Sequence, residues 1–304
     1  MTLCPSFSLQ SSQVYPSKEQ LTGRRKRSVS RAAVSEKTEK QVTAKDVDEW
    51  NKKGKIQRLE HLEEQALETL KHALYDFERP AFPCALIAGD VVILDLLARS
   101  GAFSKGLVKV IFVDTFHLFE ETHTFLRQLE NKYGFESEVF QAAGFASRAD
   151  YVKVHGPDLY LTDIDEYDRI CKVEPFGRAL KTLKVDAMIN GRRRDHGAER
   201  AHIELFEGGD MVKVNPLAYW EFRDCWDYIK KYSLAYHPLH DQGYPSVGDI
   251  HSTLPVPREQ WFEYAGERSG RFQGLTNKDG SAKTECGIHV GDARQVASEI
   301  SSSL

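Results

Sequence analysis

Apolar residues first become periodic at Ile56. Ile56, Leu59, Leu62, Ala66, Leu70, Ala73, Leu74 and Phe77 fall at three- and four-residue steps between charged positions, which predicts an amphipathic helix ended by Pro80 and Pro83. Beyond the prolines, short apolar runs alternate with helical periods. Cys84 to Ala88 reads as a buried strand, Gly89-Asp90 as a turn, and 91–99 as a helix. Residues 108–113 read as a second strand, 120–133 as a helix and 137–141 as a third strand. Residues 176–183 and 222–232 are helical in pattern, with short strands at 187–190 and 211–215. This alternation predicts an α/β fold, a doubly wound and mostly parallel sheet with helices on both faces. Residues 238–251, rich in Gly, Pro, Asp and His, read as a long loop. From residue 258 short elements lead to a Gly-rich, charged tail.

The ends of the chain differ from its body. Residues 1–35 are rich in Ser and Thr, carry Arg24, Arg25, Lys26, Arg27 and Arg31, and hold Glu19 as their only acid. That composition is expected of an organelle transit peptide, processed near 31–34, with a disordered basic tail as the alternative. Residues 36–55 read as a loosely ordered linker. The body is divided into a nucleotide-binding domain at 56–257, a C-terminal segment at 258–290 and a tail at 291–304. The chain has 304 residues and a formal net charge of −4, so no global basic excess points to nucleic acid. No apolar run is long enough to span a bilayer, and no membrane partner is expected. Its five cysteines include no close pair and no CxxC. That spacing argues against a disulfide scaffold, a zinc site or a four-cysteine cluster, and unpaired thiols suit a reducing compartment.

Ligands of open parallel sheets sit beyond the carboxyl ends of the strands. Gly89 and Asp90 follow the first strand, where glycine permits close approach and a helix N-terminus favours an anion. Asp114 and Thr115 follow the second strand; Asp114 suits a ribose or adenine contact, and a helix N-cap is the alternative. No full GxGxxG or Walker pattern is present. After the fourth strand, Gly191-Arg192-Arg193-Arg194, with Arg200 beyond it, forms either a solvated basic face or an anion clamp of guanidinium forks. Cys286 has polar neighbours, Lys283, Thr284, Glu285 and His289, unlike a core cysteine. A surface thiol is one reading; a nucleophile on a mobile tail, its thiolate favoured by Lys283, His289 and the arginines, is the other. Glu285 is expected to turn away from the thiol. His240 and Asp241 either order the long loop over the site or brace its backbone. Trp220, Trp226 and Tyr228 are expected to pack a helix on the sheet, and Cys84 to sit in the strand core.

Several ordered segments agree with one family. They are Val113-Asp114-Thr115, Lys172-Val173-Glu174-Pro175 through Arg178, Gly191-Arg192-Arg193 and Asn215-Pro216-Leu217. To these add Pro238-Leu239-His240-Asp241-Gln242-Gly243-Tyr244-Pro245, Glu267-Arg268-Ser269-Gly270-Arg271 and Glu285-Cys286-Gly287-Ile288-His289. From about residue 60 to 290 the chain resembles the assimilatory phosphoadenylyl-sulfate and adenylyl-sulfate reductases. The resemblance implies an adenine-nucleotide fold related to ATP pyrophosphatases (the adenine nucleotide alpha-hydrolase type), with Gly89 at the phosphate region and Asp114 and Thr115 beside the nucleoside. It implies that Lys172, Arg178, Arg192, Arg193, Arg268 and Arg271 surround phosphate and sulfate, that Cys286 is the nucleophile, and that thioredoxin is the reductant.

Two departures bear on substrate and cofactor. The family's serine-rich phosphate loop reads here as Ile87-Ala88-Gly89-Asp90-Val91, without the serine. The Cys-Cys pair and CxxC of cluster-bearing adenylyl-sulfate reductases are absent, Cys171 standing alone, so neither a [4Fe-4S] cluster nor another metal is expected. The plastid-type leader leans the reading toward adenylyl sulfate, reduced in the chloroplast stroma, with phosphoadenylyl sulfate as the alternative. A homodimer is the base-rate expectation. Two other classes compete: an ATP pyrophosphatase or adenylyltransferase, needing an intact phosphate loop and Mg²⁺ ligands, and a non-catalytic nucleotide-binding protein.

Overall fold

The structure is a computed structural model that describes residues 42–197, 200–209, 211–286 and 288. The chain divides into two units, 1–51 and 52–304. In the first, the described residues are helical from Ala44, inside the stretch read as a linker. Thr43 Oγ accepts the Asp46 amide at 3.2 Å while Asp46 Oδ2 accepts the Thr43 amide at 2.9 Å, a reciprocal cap that opens helix α1, Ala44–Tyr75.

In the second unit α1 buries Leu59, Leu62, Ala66, Leu70, Ala73 and Leu74, the face its periodicity marks. It leads into a six-stranded sheet of order β3-β2-β1-β4-β6-β5. The strands are β1 (Pro80–Pro83), β2 (Lys109–Val113), β3 (Ser137–Phe140), β4 (Ala187–Ile189), β5 (Phe206–Glu207) and β6 (Val212–Val214). All neighbours are parallel except β5, which runs antiparallel at the edge. Helices α2 (Ala88–Arg99), α3 (Glu120–Tyr133), α7 (Glu174–Thr182) and α8 (Phe222–Lys231) follow strands; α4 (Arg148–His155), α5 (Leu159–Thr162) and α6 (Ile164–Asp168) fill the stretch between β3 and α7. A π-helical turn, Arg169–Val173, joins α6 to α7. This is the doubly wound architecture of the adenine nucleotide alpha-hydrolase-like class.

Two local readings change. The first strand ends before Cys84, because the chain leaves the sheet there: Cys84 donates one last ladder bond to Ile111 O at 2.9 Å, and Leu86 then takes φ +63. Prolines at both ends of a central strand look like breakers in sequence. Pro80 and Pro83 are tolerated here because they bracket it. Second, Gly89 and Asp90 lie in the first turn of α2 instead of a separate turn. The core on one face joins α1, α2, α3 and α8 through Leu70, Ile93, Leu97, Leu129 and Tyr228; α7 covers the other with Phe176, Ala179 and Leu180.

Candidate functional site

β2 and β4 flank β1, and the chain visits them in opposite directions across the sheet, so a crevice opens beyond the carboxyl ends of β1 and β4. A cavity of about 210 Å³ occupies it. Its walls come from the loop after β1 (Cys84, Ala85, Ile87), Asp90 in the first turn of α2, Thr115 after β2, and Asn190, Gly191, Arg192, His196 and Arg200 after β4. Ser246, Val247, Gly248 and Asp249, then Glu267, Arg268, Arg271 and Phe272, and finally Glu285, Cys286 and Ile288 close it.

Asp90 shapes the loop. Its carboxylate accepts the Ala85 amide at 2.7 Å, and the amides of Ile87 and Leu86 also face it. Burial, with the Glu267 charge adding to it, pushes the Asp90 carboxyl up to about 7. Gly191 must be glycine here: a Cβ would stand 2.6 Å from Asp90 Oδ1.

The opposite wall is cationic. Arg192, Arg200, Arg268 and Arg271 line it, and Cys286 lies within electrostatic reach of Lys172, Arg200 and Arg271. Burial, then the neighbouring Arg268 charge, draws Arg200 down to about 10. Crowded guanidinium groups attract an anion, and Glu285 supplies one: its Oε2 accepts from Arg200 at 3.0 Å and from Arg268 at 2.8 Å. Glu285 therefore does turn to a structural contact, but to one made with the cavity's own arginines. His196 supports Arg200 from behind. Burial, then the Arg193 charge, lowers it to about 3, so it is neutral. Its Nε2 meets Glu267 at 2.9 Å, which fixes the proton there and leaves Nδ1 to accept from Arg200 at 3.2 Å.

A second charged group lies on the β2 side. Lys172 Nζ reaches Asp168 at 2.7 Å and Asp249 at 2.8 Å. Asp249 also accepts from Thr115 at 2.5 Å and Tyr167 at 3.0 Å. Burial opposes the Lys172 charge, yet the two carboxylates outweigh it and hold its pKa above the usual lysine range; Asp249 is correspondingly held low.

Among the residues singled out in sequence, Asp90, Thr115, Lys172, Gly191, Arg192, Arg200, Arg268, Arg271 and Cys286 come together around the cavity, with Gly89 just behind in α2. Four others do not line it. Arg193 is fully buried beneath, its guanidinium on Asp195 at 2.9 Å and on Glu267. Asp114 holds the Phe116 amide at 2.9 Å and Gln141 at 2.8 Å. Arg178 pairs with Glu174 at 2.7 Å, and Lys283 with Asp168 at 2.7 Å. His289 lies outside the described residues. His240 and Asp241 brace loop structure, His240 through the Tyr244 carbonyl at 2.7 Å and Asp241 through Tyr236 at 3.1 Å. The sequence reading missed His196, Glu267, Asp168 and Asp249 as site residues; all four are buried partners of the cations it did find. Cys84 sits in the core as expected, one residue past β1, and also lines the cavity, its thiol pushed well up by burial and then by Asp90. Cys171 and Cys225 are buried thiols, and no group of three or more metal-ligating side chains occurs among the described residues. No described helix is long and apolar enough to cross a membrane.

Comparison with known proteins gives this geometry its lineage. Residues 79–255 match the model of the phosphoadenosine phosphosulfate reductase domain. The chain is 34% identical to the phosphoadenosine phosphosulfate reductase of Saccharomyces cerevisiae over 82% of this chain and 91% of that one. It is 38% identical to that of Emericella nidulans over 66% of this chain, spanning 62% of the relative's length. Among solved structures, the phosphoadenylyl-sulfate reductase of Candida auris, determined as a phosphate complex, aligns with a TM-score of 0.56 at 31% identity, covering 64% of this chain and 96% of that one. The Candida glabrata FMN adenylyltransferase with FMN and an ATP analogue aligns at 0.50 with 16% identity, over 80% of this chain and 83% of that one, a likeness of fold alone. With a crevice at the strand-order reversal, an arginine wall and a matching domain model over most of the sheet, the chain belongs to the phosphoadenosine phosphosulfate reductase family.

Proposed function

We propose that this protein reduces phosphoadenylyl sulfate to sulfite through Cys286, with a dithiol protein such as thioredoxin as electron donor. The observation that carries the reading is the meeting of Cys286 with Arg192, Arg200, Arg268, Arg271 and Lys172 at one cavity. The names of the relatives move the reading from adenylyl sulfate, toward which the leader leaned, to the phosphorylated nucleotide.

In this scheme the Cys286 thiolate attacks the sulfuryl sulfur, and an S–S bond forms as the S–O bond to phosphate breaks. Adenosine bisphosphate leaves with the electron pair, and S-sulfocysteine remains. A thiolate of the donor then attacks Sγ and sulfite leaves; the donor's second thiol resolves the mixed disulfide, so the dithiol supplies both electrons. The difficulty is repulsion between an attacking anion and a group dense with negative oxygens. Fixed guanidinium and ammonium groups offset it without reorganising, and losing one well-aimed donor costs on the order of 3 kcal/mol, a hundredfold or more in rate.

Anaerobic mixing with phosphoadenylyl sulfate or adenylyl sulfate, followed by intact mass measurement, tests the scheme. A sulfonate adduct on Cys286, removed by reduced thioredoxin and absent from Cys286→Ser, is expected, and it forms faster with the phosphorylated nucleotide. Equal sulfite release from wild type and Cys286→Ser would refute the mechanism, and a faster adduct with adenylyl sulfate would reverse the substrate assignment. The same reading includes no iron–sulfur cluster, checked by iron and acid-labile sulfide in anaerobic protein. It also includes plastid import directed by residues 1–35, checked by the location of a fluorescent fusion.

A further inference from the structure

We propose that Lys283 is a positioning residue that holds the nucleophile's segment against the cavity wall through Asp168, and that it does not contact the nucleotide. The inference rests on the proposed role of Cys286. Lys283 stands three residues before the thiol. Its Nζ lies 2.7 Å from Asp168 Oδ2 and 3.1 Å from Asp165 Oδ1, with 5% of the side chain exposed. Asp168 is as buried, and its other oxygen takes Lys172 at 2.7 Å. One carboxylate thus joins a lysine of the C-terminal segment to a lysine of the cavity wall. Its two oxygens have no hydrogen-bond partner besides these ammonium groups among the described residues. The chain of alternating charge continues through Lys172 to Asp249 and ends on Thr115 and Tyr167.

The segment has a second side-chain anchor, Glu285 on Arg200 and Arg268, but those arginines line the cavity and are the groups an arriving anion recruits. Lys283 lies off the cavity, and its partners are carboxylates, which an anionic ligand does not displace. Its anchor therefore persists when the site fills. Three residues of chain reach at most about 10 Å, so a fixed Lys283 keeps the Cys286 backbone within that radius of its own throughout the reaction. Releasing it lets the thiol leave attack geometry without altering the nucleotide's own contacts.

The test measures two quantities separately: the single-turnover rate of Cys286 sulfonation at saturating phosphoadenylyl sulfate, by intact mass, and the affinity for adenosine 3′,5′-bisphosphate, by calorimetry. Lys283→Met is expected to slow sulfonation on the order of a hundredfold while affinity stays within about twofold, the signature of lost orientation. Lys283→Arg, which keeps the charge, recovers most of the rate. Should Lys283→Met fail to fold, Lys283→Gln, which keeps a hydrogen-bond donor toward the buried Asp168 without the charge, takes its place. Sulfonation within about threefold of wild type, or weakened affinity with an unchanged saturated rate, overturns the inference. A wild-type protein that forms no adduct refutes the parent reading, whereas a normal wild type beside an unimpaired Lys283→Met refutes this inference alone.

Discussion

Arg193 separates two accounts of the arginine run. As a substrate ligand it would set nucleotide affinity; as a buried counter-ion it sets stability. The structure supports the second: Arg193 is 0% exposed, its guanidinium pairs with Asp195 and Glu267, and it lies over the Phe222 ring at 5.4 Å. Burial pushes the Glu267 carboxyl up, yet Arg193 and then His196 outweigh it and hold it well below the usual range. Arg193→Met keeps the apolar stem and deletes the charge. Glu267 is then left with His196, and Asp195 with the Phe222 amide. Breaking a buried pair from one side costs about 3–5 kcal/mol, a large part of the ~5–15 kcal/mol that holds a typical domain together. At ~2–4 °C per kcal/mol for a domain of this size, Tm falls by roughly 6–20 °C. Urea unfolding of the single variant, of Glu267→Gln and of Arg193→Met/Glu267→Gln closes a double-mutant cycle. The double variant should recover much of the loss, because neither charge is then stranded. An unchanged urea midpoint in Arg193→Met together with tenfold weaker binding of adenosine 3′,5′-bisphosphate would refute the reasoning and return Arg193 to the ligand.

Three further outcomes follow from the same geometry. Glu285→Gln removes the resident anion from Arg200 and Arg268, so inorganic phosphate should bind roughly tenfold more tightly, about 1.4 kcal/mol, at low salt; unchanged or weaker binding by calorimetry counts against it. Acid should destabilise the fold below about pH 6.5: burial lowers His196 to about 3 and His237 and His251 to about 4, so the unfolded chain binds more protons and stability falls as pH drops through that window. Asp90, raised to about 7, and Asp195, raised by burial, oppose this, but the three lowered histidines outnumber them, and a urea midpoint that rises from pH 7 to pH 5 would contradict the balance. Gly191→Ala drives a methyl to 2.6 Å from Asp90 Oδ1 and should cost about 1–3 kcal/mol in urea, whereas a neutral substitution would mean that the loop after β1 gives way freely.

The sequence carries most of the frame because its elements satisfy local rules. Helix α3 lies where its amphipathic pattern ends against Gly134, which takes φ +68 as a left-handed cap. β2 and α8 are equally legible from their own residues. The helices of 148–168 and the π turn after them are not. They are short, and what buries Tyr151, Ile164 and Tyr167 is packing among themselves and with Cys171, which no local period announces. The site divides the same way. Arginine and cysteine betray themselves by chemistry in a polar setting, so the cavity's cations and its thiol could be named. Their carboxylate partners could not, because Glu267 meets Arg193 across 74 positions and Asp165 meets Lys283 across 118. In sequence Arg193 reads as a contact of phosphate or sulfate and Lys283 as a support of the thiolate for that reason: a cation in a motif looks available until its counter-charge is found in space.

The cavity takes walls from the loops after β1, β2 and β4, then from 246–249 and 267–272, and it is closed by Glu285, Cys286 and Ile288. During synthesis the loops after β1, β2 and β4 therefore exist before the late segments that carry Arg268, Arg271 and Cys286. A nascent chain that stops short of residue 268 lacks Arg268 and Arg271 as well as Cys286, so the last cations and the thiol join the cavity together.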